Sequence, residues 1–234
     1  MNATLMRLID EQHTKTPFYG SRRMTVYLTR KGYSVNRKRV IRLMRIMGIE
    51  ALYPKPRLSV GNQTHHIYPY LLNGVTVTRP NQVWSTDITY IRMAHGFLYL
   101  VAILDWFSRY VISWRLSNTL DAFFCIEALN EAFLDGKRPE IFNSDQGVQF
   151  TSEAFTNILK MHNVLISMDA KGRCFDNIFV ERLWRTVKWE EVYLHDYIDG
   201  KETKEQLSAY FSFYNIERPH QSLKNKTPSE VYWN

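Results

Sequence analysis

Residues 142–188 have the sequence FNSDQGVQFTSEAFTNILKMHNVLISMDAKGRCFDNIFVERLWRTVK. The stretch carries Asp145 at the end of a short apolar run and Glu181 inside an amphipathic helical segment, with 35 residues between the two acids. A third acid, Asp87, lies upstream in the strand-like segment QVWSTDITYI, which is rich in β-branched and aromatic residues. The pattern predicts an α/β fold in which acidic side chains project from core elements.

Strand and helix patterns alternate on both sides of this stretch. The predicted strands cover 82–91, 97–105, 110–116, 140–145 and 163–168, and the predicted helices cover 121–134, 152–162 and 176–189. The order βββαβαβα is typical of a mixed sheet flanked by helices. A further amphipathic helix is predicted over 201–214, and Pro219 and Pro228 prevent one long helix in the tail that follows.

Composition excludes several classes of protein. A hydrophobic content of 45% with 14% aromatic residues is typical of a globular chain, and no run of about 18 apolar residues predicts a membrane span. The N-terminus does not resemble a signal peptide. The two cysteines, Cys125 and Cys174, are too few for a disulfide framework and lie outside any zinc-ligand spacing. We expect a cytoplasmic protein without membrane partners.

Charge is distributed unevenly along the chain. Residues 1–58 carry 13 Lys and Arg against 3 acids, whereas residues 59–234 carry 17 against 20. A basic module followed by a mildly acidic one indicates a polyanion-binding domain joined to a second domain with a different function. The alternative is an ordinary solvated basic surface.

The basic module has the pattern of a helix-turn-helix. Helices are predicted over 4–14, 22–30 and 37–47, with a Gly-containing turn before the third. On the third helix an apolar face lies opposite three cations at spacings i, i+4 and i+7, namely Lys38, Arg42 and Arg45. This face would fit a DNA major groove, with its cations on phosphates. The other possibility is a plain amphipathic surface helix.

The three acids are candidate metal ligands. Hydrolysis or transfer of a phosphodiester needs an activated nucleophile and a neutralised leaving oxygen, and two divalent metals held by carboxylates provide both. We therefore predict that Asp87, Asp145 and Glu181 converge and bind two Mg²⁺ or Mn²⁺ ions. Each acid could instead be a surface carboxylate or a cap. Asp105 also ends a strand, and we interpret it as a turn acid bonded to the following backbone or to Arg109.

The helix of Glu181 has a second predicted role. At 100° per residue, Glu181 shares one face with Asn177, Arg185 and Lys188, while the apolar residues occupy the opposite arc. The predicted role of this face is to hold DNA beside the metals. A simple i, i+4 ion pair between Glu181 and Arg185 would explain part of the same pattern.

Several motifs, in order along almost the whole chain, resemble transposases of the insertion-sequence-three family of bacterial mobile elements, whose core is similar to retroviral integrases. The motifs are FYGSRRM, VNRKRVIRLMR, TDITY, LDWFSR, NSDQGVQF, MDAKGRCFDNIFVERLWRTVK and YNIERPHQSL. The resemblance implies a ribonuclease-H-like fold and an Asp-Asp-Glu triad, which maps onto Asp87, Asp145 and Glu181. It also implies 3′-end cleavage and strand transfer of double-stranded DNA by a homo-oligomer.

The resemblance also implies a domain plan. We predict a helix-turn-helix domain over 1–57, a linker over 58–79, a catalytic core over 80–195, and a C-terminal helix and tail packed on the core over 196–234. The chain departs from the family at Asn143, where a histidine usually precedes the SDQG motif. Without heptads near its start, the chain resembles a second-frame product or part of a frame fusion.

Two other functions stay open at this point. The first is a catalytically inactive, element-derived DNA-binding protein, which the intact triad argues against. The second is a nuclease of RNA–DNA hybrids, which the basic module and the C-terminal tail disfavour.

Overall fold

A computed structural model describes residues 1–52, 66–169 and 177–234. The chain divides into two compact units, Met1–Val60 and Gly61–Asn234. Within the described residues, no helix is long and apolar enough to cross a membrane.

The first unit is a three-helix module. Its helices are α1 (Asn2–Lys15), α2 (Ser21–Arg30) and α3 (Arg37–Ile46), which confirms the three predicted helices. The Asn36 side chain accepts a hydrogen bond from the Lys38 backbone N–H at 2.8 Å and so caps α3. One small core joins the helices through buried apolar side chains, which are Leu5, Ile9, Met24, Leu28, Val40, Leu43 and Met44.

The second unit is built on a five-stranded mixed sheet. Its strands are β1 (Val83–Arg92), β2 (Phe97–Asp105), β3 (Val111–Ser117), β4 (Ile141–Ser144) and β5 (Leu165–Met168). They lie in the order β3-β2-β1-β4-β5, with β2 antiparallel to both β1 and β3 and β4 parallel to both β1 and β5. All five predicted strands are confirmed.

Helices cover both faces of the sheet. The helices are α4 (Phe123–Ala132), α5 (Glu153–Met161), α6 (Ile178–Glu190), α7 (Gly200–Ile216) and α8 (Pro228–Tyr232). Alternate residues of β2 point to opposite sides. Val101 and Ile103 pack with α4 and α5, whereas Leu100, Ala102 and Leu104 pack with α6 and α7. The continuous apolar run of β2 is therefore explained by burial on both faces.

The C-terminal segment packs against the β3 edge. The Asn215 side chain accepts from the Val111 N–H and donates to the Val111 carbonyl, both at 2.9 Å, and so extends the backbone pairing of that strand. The Tyr232 ring stacks on Tyr110 with centroids 4.7 Å apart. Pro228 occupies the first turn of α8 behind a Thr227 capping box, where its missing N–H has no cost.

The segment predicted as a linker differs from a simple tether. Its first part, residues 58–65, lies outside the described residues, as do residues 53–57 before it. Its later part packs on β5, since Leu72 is buried and the Leu71 N–H donates to the Ser167 hydroxyl at 3.0 Å. The apolar pair Leu71 and Leu72 supplies the physical reason, because burial on the sheet edge removes these side chains from water.

Candidate active site

Asp87 lies near the middle of β1 on the sheet face covered by α6. Strand alternation places it on the side opposite Trp84, which packs with α4 and α5. The indole N–H of Trp184 on α6 donates to Asp87 Oδ2 at 3.0 Å. The carboxylate is thus fixed from the helix above it.

Asp145 directly follows β4 at the same end of the sheet. The last registered pair between β1 and β4 is Ser85 with Asn143, so Asp87 and Asp145 each lie two residues beyond it. Asp145 lies close enough to Asp87 for its negative charge to raise the pKa of that acid. Asp145 Oδ1 accepts from the Gly147 N–H at 2.8 Å. A Cβ at position 147 would lie 2.8 Å from that oxygen, so glycine permits the close turn.

Glu181 approaches from α6 with an exposed side chain. The opposite face of the helix is buried through Val180, Leu183, Trp184 and Val187. The predicted apolar arc omitted Trp184, which holds Asp87 as well as packing in the core. The available signal was its spacing of four residues from Val180, which places both side chains on one helix face.

The three acids interact electrostatically. The pKa of Asp87 is raised to about 6, mainly by burial and also by the negative charges of Asp145 and Glu181, while hydrogen bonds from Ile88 and Trp184 act to lower it. Burial also raises the pKa of Asp145, against the Gly147 hydrogen bond. Carboxylates from three separate elements therefore share one region of negative potential.

The three carboxylates do not form a complete metal-binding group in this conformation. Among the residues that the structure describes, no group of three or more His, Cys, Asp or Glu side chains is positioned to hold a metal ion. Asp87 and Asp145 are each engaged by a neighbouring N–H, while Glu181 is exposed. A cation would relieve the mutual repulsion that raises the pKa of Asp87, so the residues present fit a divalent metal.

Asp105 is the turn acid expected from the sequence. It is fully buried, and its Oδ1 accepts from the Ser108 N–H at 2.8 Å and from the Ser108 hydroxyl at 2.6 Å. Its Oδ2 accepts from the Asn81 N–H at 2.7 Å. These bonds confirm the structural interpretation of Asp105.

The predicted DNA-binding residues of α6 have different environments. Arg185 is exposed and Lys188 is half-buried. Asn177 is instead buried at the start of α6, where its side-chain N–H donates to the Thr86 carbonyl at 3.0 Å. Asn177 thus ties α6 to β1 and does not extend the exposed row, because its side chain points into the sheet.

In the first unit, α3 has the polarity that was predicted. Lys38, Arg42 and Arg45 are exposed, and the opposite face of the helix lies in the core.

Asn143, the departure from the family pattern, is buried and donates to Asp169 Oδ1 at 2.8 Å. It contacts a neighbouring acid outside the proposed triad.

Family models match three parts of the chain. An HTH-like domain matches residues 2–57, and two integrase core domain models match residues 77–174 and 162–228. The chain is 34% identical to the putative transposase InsK for insertion sequence element IS150 of Escherichia coli (strain K12), covering 96% of this chain and 81% of that protein. It is 33% identical to the transposase InsF for insertion sequence IS3A of the same organism, covering 91% and 76%.

Solved structures show the same fold in the second unit. The catalytic core domain of HTLV-2 integrase, solved in complex with magnesium, matches 66% of this chain and 97% of that chain, with a TM-score of 0.55 and 18% identity. The simian T-cell lymphotropic virus intasome matches 98% of this chain and 74% of that chain, with a TM-score of 0.59 and 16% identity. The predicted ribonuclease-H-like core is thereby confirmed. The chain belongs to the IS3/IS150 family of insertion-sequence transposases, with an HTH-like domain followed by an integrase core.

Proposed function

We propose that this transposase cleaves the 3′ ends of its element DNA and joins them to target DNA, with Asp87, Asp145 and Glu181 as the catalytic carboxylates. One observation carries the proposal: burial raises the pKa of Asp87 to about 6, and the charges of Asp145 and Glu181 also raise it. An acid on β1, an acid directly after β4 and an acid on α6, far apart in sequence, therefore lie close enough together to influence one another. Perturbed carboxyl groups of this kind are concentrated at functional sites.

The proposed cofactors are two Mg²⁺ or Mn²⁺ ions held by the same three acids. Such ions, when bound, supply activation of the attacking hydroxyl and neutralisation of the leaving oxygen. The magnesium in the HTLV-2 integrase core supports this choice for a related fold. Trp184 would hold Asp87 in position, and the Gly147 N–H would hold Asp145.

Double-stranded DNA is the proposed partner of both units. In the first unit, Lys38, Arg42 and Arg45 would bind phosphates around a major groove. In the second unit, Arg185 and Lys188 would hold the DNA end next to Glu181. Assembly of several copies on DNA is part of the proposal, because joining an element to a target requires both element ends to be held together.

The test is a cleavage and joining assay with labelled terminal DNA of the element in Mg²⁺ or Mn²⁺. Wild-type protein should produce nicked 3′ ends and joined products. The variants Asp87→Asn, Asp145→Asn and Glu181→Gln should produce neither, and their cooperative unfolding transitions should show that they are still folded. Mg²⁺ should raise the melting temperature of the wild type and have a smaller effect on these variants. DNA binding without any cleavage by the wild type would instead indicate an inactive, element-derived binding protein.

A further inference from the structure

A basic pocket of about 160 Å³ lies beside α6 in the second unit. It is formed where the β2–β3 turn, α6 and the segment after α7 meet. The basic side chains at this pocket are Arg109, Arg182, Arg185, Arg218 and His220. Arg109 belongs to the motif LDWFSR, and Arg218 and His220 belong to the motif YNIERPHQSL, whose functions the carboxylate site does not explain.

Arg109 contributes a buried donor without an acceptor. Its guanidinium lies over the Phe179 ring, with Cζ 3.6 Å from the centroid, and its Nη1 is buried with no hydrogen-bond partner among the described residues. Burial lowers the pKa of Arg109 to about 10, so the group remains charged at neutral pH. The charge of Asp105 favours the charged form of Arg109, but both Asp105 oxygens accept hydrogen bonds from Ser108 and Asn81. A buried cationic donor whose Nη1 lacks a hydrogen-bonded acceptor indicates an anionic ligand.

His220 contributes a second such group. Its Nε2 is buried and has no hydrogen-bond partner within the part of the chain that the structure describes. The His220 ring packs edge-on against Tyr214, with centroids 4.8 Å apart. Burial and the charge of Arg218 lower the pKa of His220 to about 4, so the imidazole is neutral and able to donate one hydrogen bond.

The pocket also has excess positive charge. Arg218 is neutralised by a bidentate pair with Glu190, at 2.7 and 2.5 Å. Arg182 and Arg185 are exposed on α6, and neither forms an ion pair with any described residue at 4.0 Å or less. With Arg109, they give three unpaired cations around one small space, and arginine is suited to phosphate because of its planar fork of donors.

A wider cavity of about 460 Å³ adjoins this pocket and shares Arg109, Phe179 and Ser222 with it. Trp106 and Phe107 add aromatic surface to its lining. A nucleic-acid strand combines charged phosphates with planar bases, which matches a basic space next to an aromatic one. A free inorganic anion would use the basic part alone.

We propose that Arg109, Arg182 and His220 form a binding pocket for one phosphodiester group of a DNA strand that continues along α6 from the carboxylate site. The inference rests on the proposed function, because it places that strand next to Glu181. It adds a role for the turn after β2 and for the segment after α7. These elements would hold the DNA backbone beside the reacting end without touching the reacting atoms.

The test uses the full chain and a pre-cut terminal duplex of the element in EDTA, so that binding is measured apart from chemistry. Single phosphates near the 3′ end are replaced one at a time by neutral methylphosphonates. Wild-type protein should lose affinity about tenfold at one position. In Arg182→Gln and Arg109→Gln, the same replacement should cost less than twofold, and the slope of log Kobs against log salt should fall by about 0.9. His220→Ala should lower affinity without a change in that slope.

Arg92→Gln is the matched control, since it removes an exposed cation at the far end of β1 and should retain the tenfold loss. Arg182 is exposed, so its variant tests the pocket even if Arg109→Gln fails to fold. If the folded Arg182→Gln variant still lost affinity about tenfold on the same methylphosphonate replacement, the proposed phosphate-binding pocket would be wrong. Displacement of DNA by 10 mM inorganic phosphate at constant ionic strength would show a free-anion site instead. If the wild type did not cleave DNA but still lost affinity at one methylphosphonate position, the proposed function would be wrong and the proposed pocket would stand.

Discussion

The indole N–H of Trp184 donates to Asp87 Oδ2 at 3.0 Å, which joins α6 to the central strand β1 at the carboxylate site. The residues are 97 positions apart in sequence. This bond favours the ionised form of Asp87, against burial and the neighbouring negative charges.

Removal of this donor should change the pH dependence of the reaction. Trp184→Phe retains an aromatic ring but loses the N–H, so the pKa of Asp87 should rise above about 6. The acidic limb of the cleavage rate profile should then move to higher pH. Trp114→Phe is the control, since Trp114 packs in the same apolar cluster against Phe211. Coincident acidic limbs for wild type and Trp184→Phe would show that the bond does not tune Asp87.

Asp87→Asn should stabilise the fold at neutral pH. The folded-state pKa of about 6 exceeds the ordinary value of 3.8, so the ionised carboxylate destabilises the folded state as pH rises through this range. At roughly 1.4 kcal/mol per pKa unit, the variant should gain about 2 to 3 kcal/mol in free energy of unfolding above pH 6.

This gain should shrink as the pH falls below about 6, and it should approach zero only below about pH 3, because Asp87 has a pKa of 3.8 in the unfolded state and is protonated in both states only there. Urea titrations from about pH 3 to pH 8 measure it, in chelator to exclude metals. Asp196→Asn, which changes an exposed acid, should show no such pH-dependent gain. A constant difference across the range would contradict the assigned pKa.

Asp105→Asn should reduce stability far more than it reduces metal-dependent chemistry at equal folded fraction. The amide replaces one carboxylate oxygen with a donor, which would face N–H and O–H groups that already donate from Asn81 and Ser108. An unsatisfied buried polar group costs about 1 to 3 kcal/mol. Chemical denaturation should show this loss. Full stability with no cleavage would instead assign Asp105 to the reaction.

The first unit should bind DNA through α3. A fragment of residues 1–57 should bind duplex DNA with an affinity that falls steeply with salt, and simultaneous Gln replacement of Lys38, Arg42 and Arg45 should remove most binding. The salt slope should fall by up to about 2.7, at about 0.9 for each lost phosphate contact. Arg7→Gln on α1 is the control. Equal binding of the triple variant and the parent at every salt concentration would exclude α3.

Cation and carboxylate roles on α6 should separate on mutation. Arg185→Ala and Lys188→Ala should weaken binding to pre-cut ends and reduce strand transfer. Glu181→Gln should retain or tighten end binding, since it removes a negative charge, and lose chemistry. Fluorescence anisotropy and a joining assay measure the two effects. Wild-type end affinity for both cation variants at low and moderate salt would show that this face is ordinary solvated surface.

Local pattern in the sequence predicted the five strands and the longer helices, but not the short helix α8. The apolar run at 97–105, the helical period of α3 and Pro228 each act through neighbours a few residues away, so strand, helix and break follow from local sterics and burial. The family motifs, in turn, indicated the fold and the three acids of the candidate triad.

Tertiary structure alone decided which side chains meet. Trp184 was not part of the predicted apolar arc, and Asn177 was predicted to lie in an exposed row, but packing of α6 on β1 turned both side chains toward the strand. Arg109 and His220 lie 111 positions apart and reach one pocket only because the segment after α7 folds back along α6. Such contacts depend on the register of packed elements, and periodicity along one element carries no information about its partner.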